Sequence, residues 1–444
     1  MRKKKVWIVL ALVGLCYLYF TLFYKTINSR AVPASTDALI TIDVKKITNT
    51  ILWQIITSPS QWKISNPFKK DTTQKINIKS VLTIPDYIFA FHLQNQSSLY
   101  WYVQLPIKKT TLLAPLLAQY NFVKYTHNQY VNRALGIRII DTINTVLITT
   151  NIDNDSSLAV ATNELYTQKT FANNIYINKC IDANSHLAAV VSNTNILEND
   201  AIIKATIAKN ELIIEACIQP QAKFDFKEMG FTIPANPMAI FACTQPTAEV
   251  SNWLNGAKQK FTVLLGIEAD SLFANTNTQY QLVLTDMVQR QDSAITYSYD
   301  DNFNKVQKVI TNKVTEPNFC IQMKGTNMVS IFTYLQKKEI IMPEAEGNLF
   351  TSIPFAKSYI TYTDSTLLIQ PNYYKATLPD TSLPAIAYAK LNVEKAWPYL
   401  SPYLPTMPFI NKIGMVSLLA KKQGKQIKVR LQINKNSAHY SLFL

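Results

Sequence analysis

Ser60-Gln61-Trp62-Lys63 places a hydroxyl and an amine at Ser-x-x-Lys spacing. At that spacing the lysine lowers the cost of removing the serine proton, so the pair is a candidate nucleophile. Enzymes built on this pair carry a Lys-Thr-Gly element, which is absent here, and Ser192-Asn193 matches only part of their middle element. Ser58-Pro59-Ser60 also reads as an ordinary loop after a helix. The four histidines, His92, His127, His186 and His439, have no partner four residues away, so no helical metal pair exists. His92 lies in the apolar stretch Phe89–Leu93 and reads as a hydrogen-bonded strand residue. Carboxylates pair at Asp153 and Asp155, Asp300 and Asp301, and Glu344 and Glu346. General acid–base work needs two carboxyls in differing environments, and these pairs stand in polar, turn-like stretches. Asp153 and Asp155 are expected to cap the helix running through Leu158 and Leu165.

Nine glycines in 444 residues exclude several chemistries. No two are closer than ten positions. The glycine-rich dinucleotide loop, the phosphate loop and the Gly-x-Ser-x-Gly elbow all need closely spaced glycines, so no cofactor is expected. Cys180, Cys217, Cys243 and Cys320 show no Cys-x-x-Cys spacing, which leaves free thiols and disulfides both open.

Charge is unevenly spread. The chain carries +15 overall; six of its 44 basic residues and none of its 29 acidic ones precede residue 31, leaving residues 31–444 at +9. That balance does not indicate nucleic acid. No acid follows Glu394, while Lys395, Lys412, Lys421, Lys422, Lys425, Lys428, Arg430 and Lys435 do. Lys421, Lys422, Lys425, Lys428 and Arg430 are the candidate contact for an anionic lipid or an acidic protein of the cell envelope. Segment 87–140 is also acid-free and holds Lys108, Lys109, Lys124, Arg133 and Arg138.

These residues need elements to hold them. Strand-then-helix units are expected at Ala38–Val44 with Ile47, Ile51 and Ile55, and at Tyr100–Leu105 with Leu112 to Tyr120. Others are expected at Met238–Cys243 with Val250 to Leu254, at Phe319–Met323 with Met328 to Leu335, and at Ala385–Leu391 with Trp397 to Leu400. Leu187–Val191 reads as a further strand. Hairpins are expected over Ala205–Ile218, turning at Lys209-Asn210, and over Met415–Ile433, turning at Gln423-Gly424. In the second, Ile427, Val429, Leu431 and Ile433 alternate with polar residues, giving one buried and one wet face. Matching units recur at offsets of about 200 to 218 residues. The expectation is an α+β chain of two similar mixed sheet-and-helix halves, 31–230 and 231–444, with helices over one face of each sheet. Gly230–Pro237 is the expected linker.

The first 30 residues form a further segment. Arg2, Lys3, Lys4 and Lys5 precede an uncharged run from Val6 to Tyr24, which as a helix would span roughly 28 Å. The charge bias predicts a transmembrane signal anchor in membrane lipid, with a cytoplasmic N-terminus and residues 31–444 periplasmic or extracellular. Small residues at 29–35 leave a later cleavage site as an alternative, and Cys16 follows a stretch similar to a lipid-attachment box.

Pro33-Ala34-Ser35-Thr36-Asp37-Ala38-Leu39-Ile40-Thr41-Ile42-Asp43-Val44 before a helix, and Thr145–Asn151 running into another, give the chain a resemblance to a family. It resembles uncharacterised bacterial membrane-anchored proteins of the domain-of-unknown-function type. That resemblance implies an exported pair of α+β domains and carries no functional residues. The resulting expectation is a single-pass inner-membrane protein with a non-catalytic ectodomain that binds or scaffolds another envelope component. The alternatives are an envelope hydrolase using Ser60 and Lys63, and a lipid- or anion-binding module.

Overall fold

Side chains that alternate between two environments build about half of the described residues into strands. The computed structural model describes residues 22–57, 76–142, 144–172, 175–192, 197–222, 224, 226–245, 259, 262, 267–268, 278–299, 303–353, 356–372, 382–402 and 410–436. They belong to two compact units, one ending at Gln219 and the other beginning at Pro220.

The first unit opens with β1 (Thr36–Asp43), which buries Leu39, Thr41 and Asp43 and leaves Ile40 and Ile42 half-exposed. It continues through α1 (Val44–Thr57), α2 (Ile78–Val81), β2 (Tyr87–Leu93), β3 (Tyr102–Pro106) and α3 (Leu113–Gln119). A meander follows, β4 (Val123–Thr126), β5 (Gln129–Asn132), β6 (Ile137–Asp141) and β7 (Thr145–Thr149). Then come α4 (Asp155–Thr162), a π-helix (Asn163–Gln168), α5 (Ile175–Asp182), β8 (Leu187–Val191), β9 (Ala201–Ile207) and β10 (Glu211–Ile218). β1 is bonded to β2 on one edge and β8 on the other. Outward from β2 lie β3, β7, β6, β5 and β4; outward from β8 lie β9 and β10.

The second unit runs β11 (Met229–Thr232), β12 (Ala239–Thr244), β13 (Gln279–Tyr299), β14 (Lys305–Lys324), α6 (Met328–Lys337), β15 (Ile341–Glu344), β16 (Gly347–Phe350), β17 (Ser358–Tyr362) and β18 (Thr366–Gln370). It ends with β19 (Ser382–Ala385), β20 (Ala387–Asn392), α7 (Val393–Leu400), β21 (Ile413–Gln423) and β22 (Gln426–Lys435). Here β12 lies between β13 and β20. Outward from β13 lie β14, β18, β17, β16 and β15; outward from β20 lie β21 and β22. Both units therefore show one succession of ten strands. The likeness extends to register. The row Ile139, Ile148, Val103, Ala90, Ile40, Ala189, Ile203, Ala216 crosses the first sheet. The row Ile360, Ile369, Ile321, Leu282, Phe241, Ala389, Leu418, Leu431 crosses the second.

Helices cover both faces of the first sheet, not one. Leu39, Phe91, Tyr102 and Leu147 meet Leu158, Ala161, Leu165 and Ile177 from α4, the π-helix and α5. On the other face, Val103, Ile139 and Ile148 meet Val81 of α2 and Leu113, Leu116 and Leu117 of α3. In the second unit α6 supplies Met328, Ile331, Phe332 and Leu335 to Phe319, Met323, Ile360 and Leu367.

Three expectations require correction. The strand pairings described within each unit are antiparallel throughout, so these α+β units are not mixed sheets. No helix among the described residues is long and apolar enough to cross a membrane. The transmembrane signal anchor, and the single-pass inner-membrane placement with a periplasmic or extracellular domain, are therefore not supported by the described residues. Residues 6–21 of that run, and the basic residues before it, lie outside the described residues. From Tyr24 the chain is irregular and tied to the first unit: Lys25 pairs with Asp43, and the Thr26 amide donates to Asp86 at 2.8 Å. Third, the expected linker contains β11, which pairs with β19. The helix expected at Val250 to Leu254 lies outside the described residues.

Leu39 is fully buried and Leu52 on α1 is exposed. Leu39→Ala is expected to destabilise the first unit by about 2–5 kcal/mol. Leu52→Ala should stay within about 0.5 kcal/mol of the parent. Urea unfolding of the full chain, fitted with one transition per unit, checks both.

Candidate functional site

The basic residues near the C-terminus fall on the β21–β22 hairpin, but not on one face. Lys421 lies directly opposite Lys428, and Leu419 opposite Arg430; these pairs alternate with Ala420–Val429 and so share a face. Lys422 lies opposite Ile427 on the other face. Its backbone amide donates to Glu228, and its amine to the Phe226 carbonyl at 3.2 Å. Lys425 sits in the turn, next to Gly424 at φ 62°, a left-handed position that glycine adopts without strain. Lys421, Lys428 and Arg430 thus put three cations on one face of the hairpin.

The buried histidines serve the fold. His92 Nδ1 is 2.6 Å from Asp37 and Nε2 is 2.9 Å from the Ser97 carbonyl, which only accepts. Nε2 therefore donates and has no lone pair for a nucleophile's proton. Asp37, His92, Ser98, Trp101 and Ser192 border a recess of about 450 Å³. It combines a histidine–carboxylate pair with serines, yet among the described residues no serine hydroxyl bonds to His92. The Ile207 amide donates to His186 Nδ1 at 3.1 Å, and Nε2 bonds to the Thr50 hydroxyl at 2.7 Å. Nδ1 thus accepts and Nε2 carries the proton. Burial, then the nearby Lys46 ammonium, push this imidazole below its ordinary value; Asp43 opposes them, and Lys25 adds a smaller push down.

A cleft of about 660 Å³ runs beside α1, bordered by Lys25, Lys46, Asn49, Trp53 and Lys209. Its cations are already engaged in part. Lys25 pairs with Asp43, and the Lys46 amine bonds to both oxygens of Asn184. Asp43 accepts the Lys46 amide at 2.8 Å, which caps the start of α1.

The remaining candidates do not assemble. Ser60 and Lys63 lie outside the described residues, as do Asn193, Asp300, Asp301 and His439. His127 is exposed beside β4 and β5. Asn154, not Asp153 or Asp155, caps α4 by accepting the Ser157 amide. Asp155 instead pairs with Arg138 at 2.6 Å. Arg138, one of the cations of the acid-free segment 87–140, is fully buried. Lys357 bonds to Glu344 at 2.9 Å, and Tyr359 donates to Glu346. That hydrogen bond, then Lys357, hold the Glu346 carboxyl below its ordinary value, the reverse of what a general acid at neutral pH needs. Cys180, Cys217, Cys243 and Cys320 form no disulfide, and burial pushes the Cys243 thiol up to about 11. Among the described residues, no group of His, Cys, Asp or Glu is set to hold a metal ion.

The most distinctive surface was not expected. Beyond a bulge between Leu284 and Asp286, β13 and β14 continue as a two-stranded ribbon from Gln289–Thr315 to Tyr299–Lys305, eleven residue pairs long. At about 3.3 Å per residue it extends roughly 36 Å. Its described side chains are exposed, apart from a half-exposed Thr296. Val309 is 60% exposed, Tyr297 58% and Phe303, at its end, 87%. The signal for it was the alternation Ile295, Tyr297, Tyr299 followed by Asp300-Asp301-Asn302.

No protein-family model and no curated protein matches the sequence. Two solved structures, crystal forms I and III of TP0453, are similar over part of the chain, at 12% and 13% identity and TM-scores of 0.26 and 0.25. The likeness covers 44% and 45% of this chain and 79% and 83% of those chains, and at this level it carries no argument.

The His186 environment gives a pH dependence. Its folded value is depressed, so its contribution to stability is complete above the unfolded value of about 6.5 and is lost as pH falls below it. Between about pH 6.5 and 5, the parent should lose urea resistance faster than His186→Gln. Parallel slopes for the two proteins would contradict this.

Proposed function

We propose that the protein is a non-catalytic binding or scaffolding protein built from two duplicated antiparallel units. One observation carries the reading: a β-ribbon of eleven pairs stands in solvent with apolar side chains on both faces. An isolated two-stranded hairpin is at best marginally stable in water. Exposed apolar strands also invite association, and natural proteins ordinarily suppress them. Keeping Ile295, Tyr297, Phe303 and Val309 on such an element is consistent with their being covered by another macromolecule. The committed hydrogen bonds of His92 and His186 support the absence of catalysis at those positions.

A photo-crosslinking residue at Tyr297 or Val309 of the full chain in cells is expected to give discrete adducts. Val123 on β4, more exposed than either, should give none. Absent adducts at both ribbon positions, or the same adducts from Val123, would sink the reading.

The opposed Lys421 and Lys428, with Arg430 on the same face, favour a second reading in which this face contacts an anionic surface. Lys428→Glu reverses one of the three charges on that face. The same change should weaken binding to vesicles rich in anionic lipid. Binding to those vesicles that survives both the substitution and added salt would rule out this electrostatic contact.

A further inference from the structure

The cleft beside α1 is lined by three lysines, Lys25, Lys46 and Lys209, and by no carboxylate among the described residues. It lies wholly within the first unit. Its volume of about 660 Å³ falls in the range of small-molecule sites. We infer that this cleft binds a small organic anion, with its acidic head on the Lys46 and Lys25 ammonium groups and its apolar body against Trp53.

Charge selects the head. The Lys46 amine donates to two oxygens of Asn184, the backbone carbonyl and Oδ1, the latter at 2.8 Å. Both acceptors are neutral. An ammonium has three donors, so one N–H of Lys46 is left without a partner among the described residues. Asp43 bonds to the Lys25 amine and accepts the Lys46 backbone amide. That one carboxylate faces two ammonium groups, and Lys209 brings a third to the lining. Neighbouring groups register the excess. Burial pushes the Lys46 ammonium below its ordinary value; Asp43 opposes this, and Lys25 adds a smaller push down. Thr50, also in the lining, bonds to His186 Nε2 at 2.7 Å, and that imidazole is pushed down by burial and then by Lys46. An anion beside Lys46 would offset the charge contribution in both cases.

The aromatic groups select the body. Trp53 is 67% exposed and Phe23 62%, and both border the same concavity as the lysines. The Trp53 indole N–H has no partner among the described residues. An indole so placed offers a flat apolar face and a donor together, which suits a ligand that is apolar beside its acidic head. The wall from Leu22 to Lys25 is tied down. Asn49 Nδ2 donates to the Leu22 carbonyl at 2.6 Å, Lys45 donates to the Tyr24 carbonyl, and Lys25 pairs with Asp43. A wall fixed at three points loses little freedom when a ligand enters. Three lysines around one concavity do not make the track of phosphate contacts that a nucleic acid requires, and they repel a metal cation.

Calorimetric titration of the full chain with 2-naphthoate is expected to show one saturable site. The uncharged 2-naphthamide and the ringless inorganic phosphate should each bind at least about tenfold more weakly. Lys46→Gln and Trp53→Ala should each weaken 2-naphthoate binding about tenfold. Because Lys46→Gln also alters the contact with Asn184, Lys46→Arg provides the control: it keeps the charge and should stay within about threefold of the parent. On the unaltered chain, photoactivated 4-benzoylbenzoate should label residues 22–25 or 46–57, and 2-naphthoate should suppress that labelling. Absence of saturable 2-naphthoate binding overturns the inference, as do equal affinity for 2-naphthamide, indifference to Lys46→Gln, or labelling confined to other segments. Vesicles of anionic lipid distinguish a membrane source of the same head group: Lys46-dependent vesicle binding without 2-naphthoate binding also overturns it. The site is separate from the ribbon, so adducts at Tyr297 and Val309 are expected whichever result is obtained.

Discussion

Each unit depends on a central strand bonded along both edges in a single antiparallel register. β1 between β2 and β8, and β12 between β13 and β20, leave no freedom to slide. A slip of one residue would send every side chain to the opposite face. In β1 that would expose Leu39 and bring half-exposed Ile40 inward. It would also displace Asp43, whose amide donates to the His186 carbonyl and whose carboxylate caps α1. The Lys25 ion pair and the seating of α1 beside the 660 Å³ cleft follow from that one register.

The polar groups inside the first unit are spent on holding elements together. Arg138 is the clearest case. Burying a guanidinium is costly unless its donors are matched. Here Nε donates to Gln129 at 3.1 Å, Nη1 to the Ile152 carbonyl at 3.2 Å, and Asp155 supplies the counter-charge. One side chain thus ties β5, β6 and the start of α4. His92 does the same between β1 and the loop after β2, and His186 between α1 and the start of β8. Both ring nitrogens of His92 and of His186 are committed to these bonds. What the chain offers outward is strand surface: aliphatic on the open part of the second sheet, basic on the last hairpin.

How much of this was legible follows from how local each determinant is. Ile427, Val429, Leu431 and Ile433 alternate because one face of β22 is covered, and the Gln423-Gly424 turn announces itself by a glycine that φ 62° requires. Lys209-Asn210 marked the β9–β10 turn for similar local reasons. Arg138 was misread because Gln129 and Asp155, which neutralise it, are near only after β5, β6 and α4 assemble. Asp153, Asn154 and Asp155 can each cap a helix, and neighbouring residues of like capacity do not reveal which will. An apolar count over Val6–Tyr24 likewise treats each residue alone and says nothing of where Lys25 binds. The ribbon escaped notice because both of its faces are wet: Ile295, Tyr297 and Tyr299 alternate, but Gln289 to Ser293 before them carries nothing that burial would mark.

The two units supply their own argument about that ribbon. β2 and β3 occupy in the first unit the places of β13 and β14 in the second, and they have 7 and 5 residues against 21 and 20. The first unit completes the same ten-strand succession without an extended hairpin. The extra length in the second unit is thus not needed to close its sheet. The strands beyond the bulge at Leu284 and Asp286 gain hydrogen bonds only from each other while holding apolar side chains in water. A chain under selection for folding alone would shorten such an element or coat it with charge. The proposed binding role gives that length a use outside the unit that bears it.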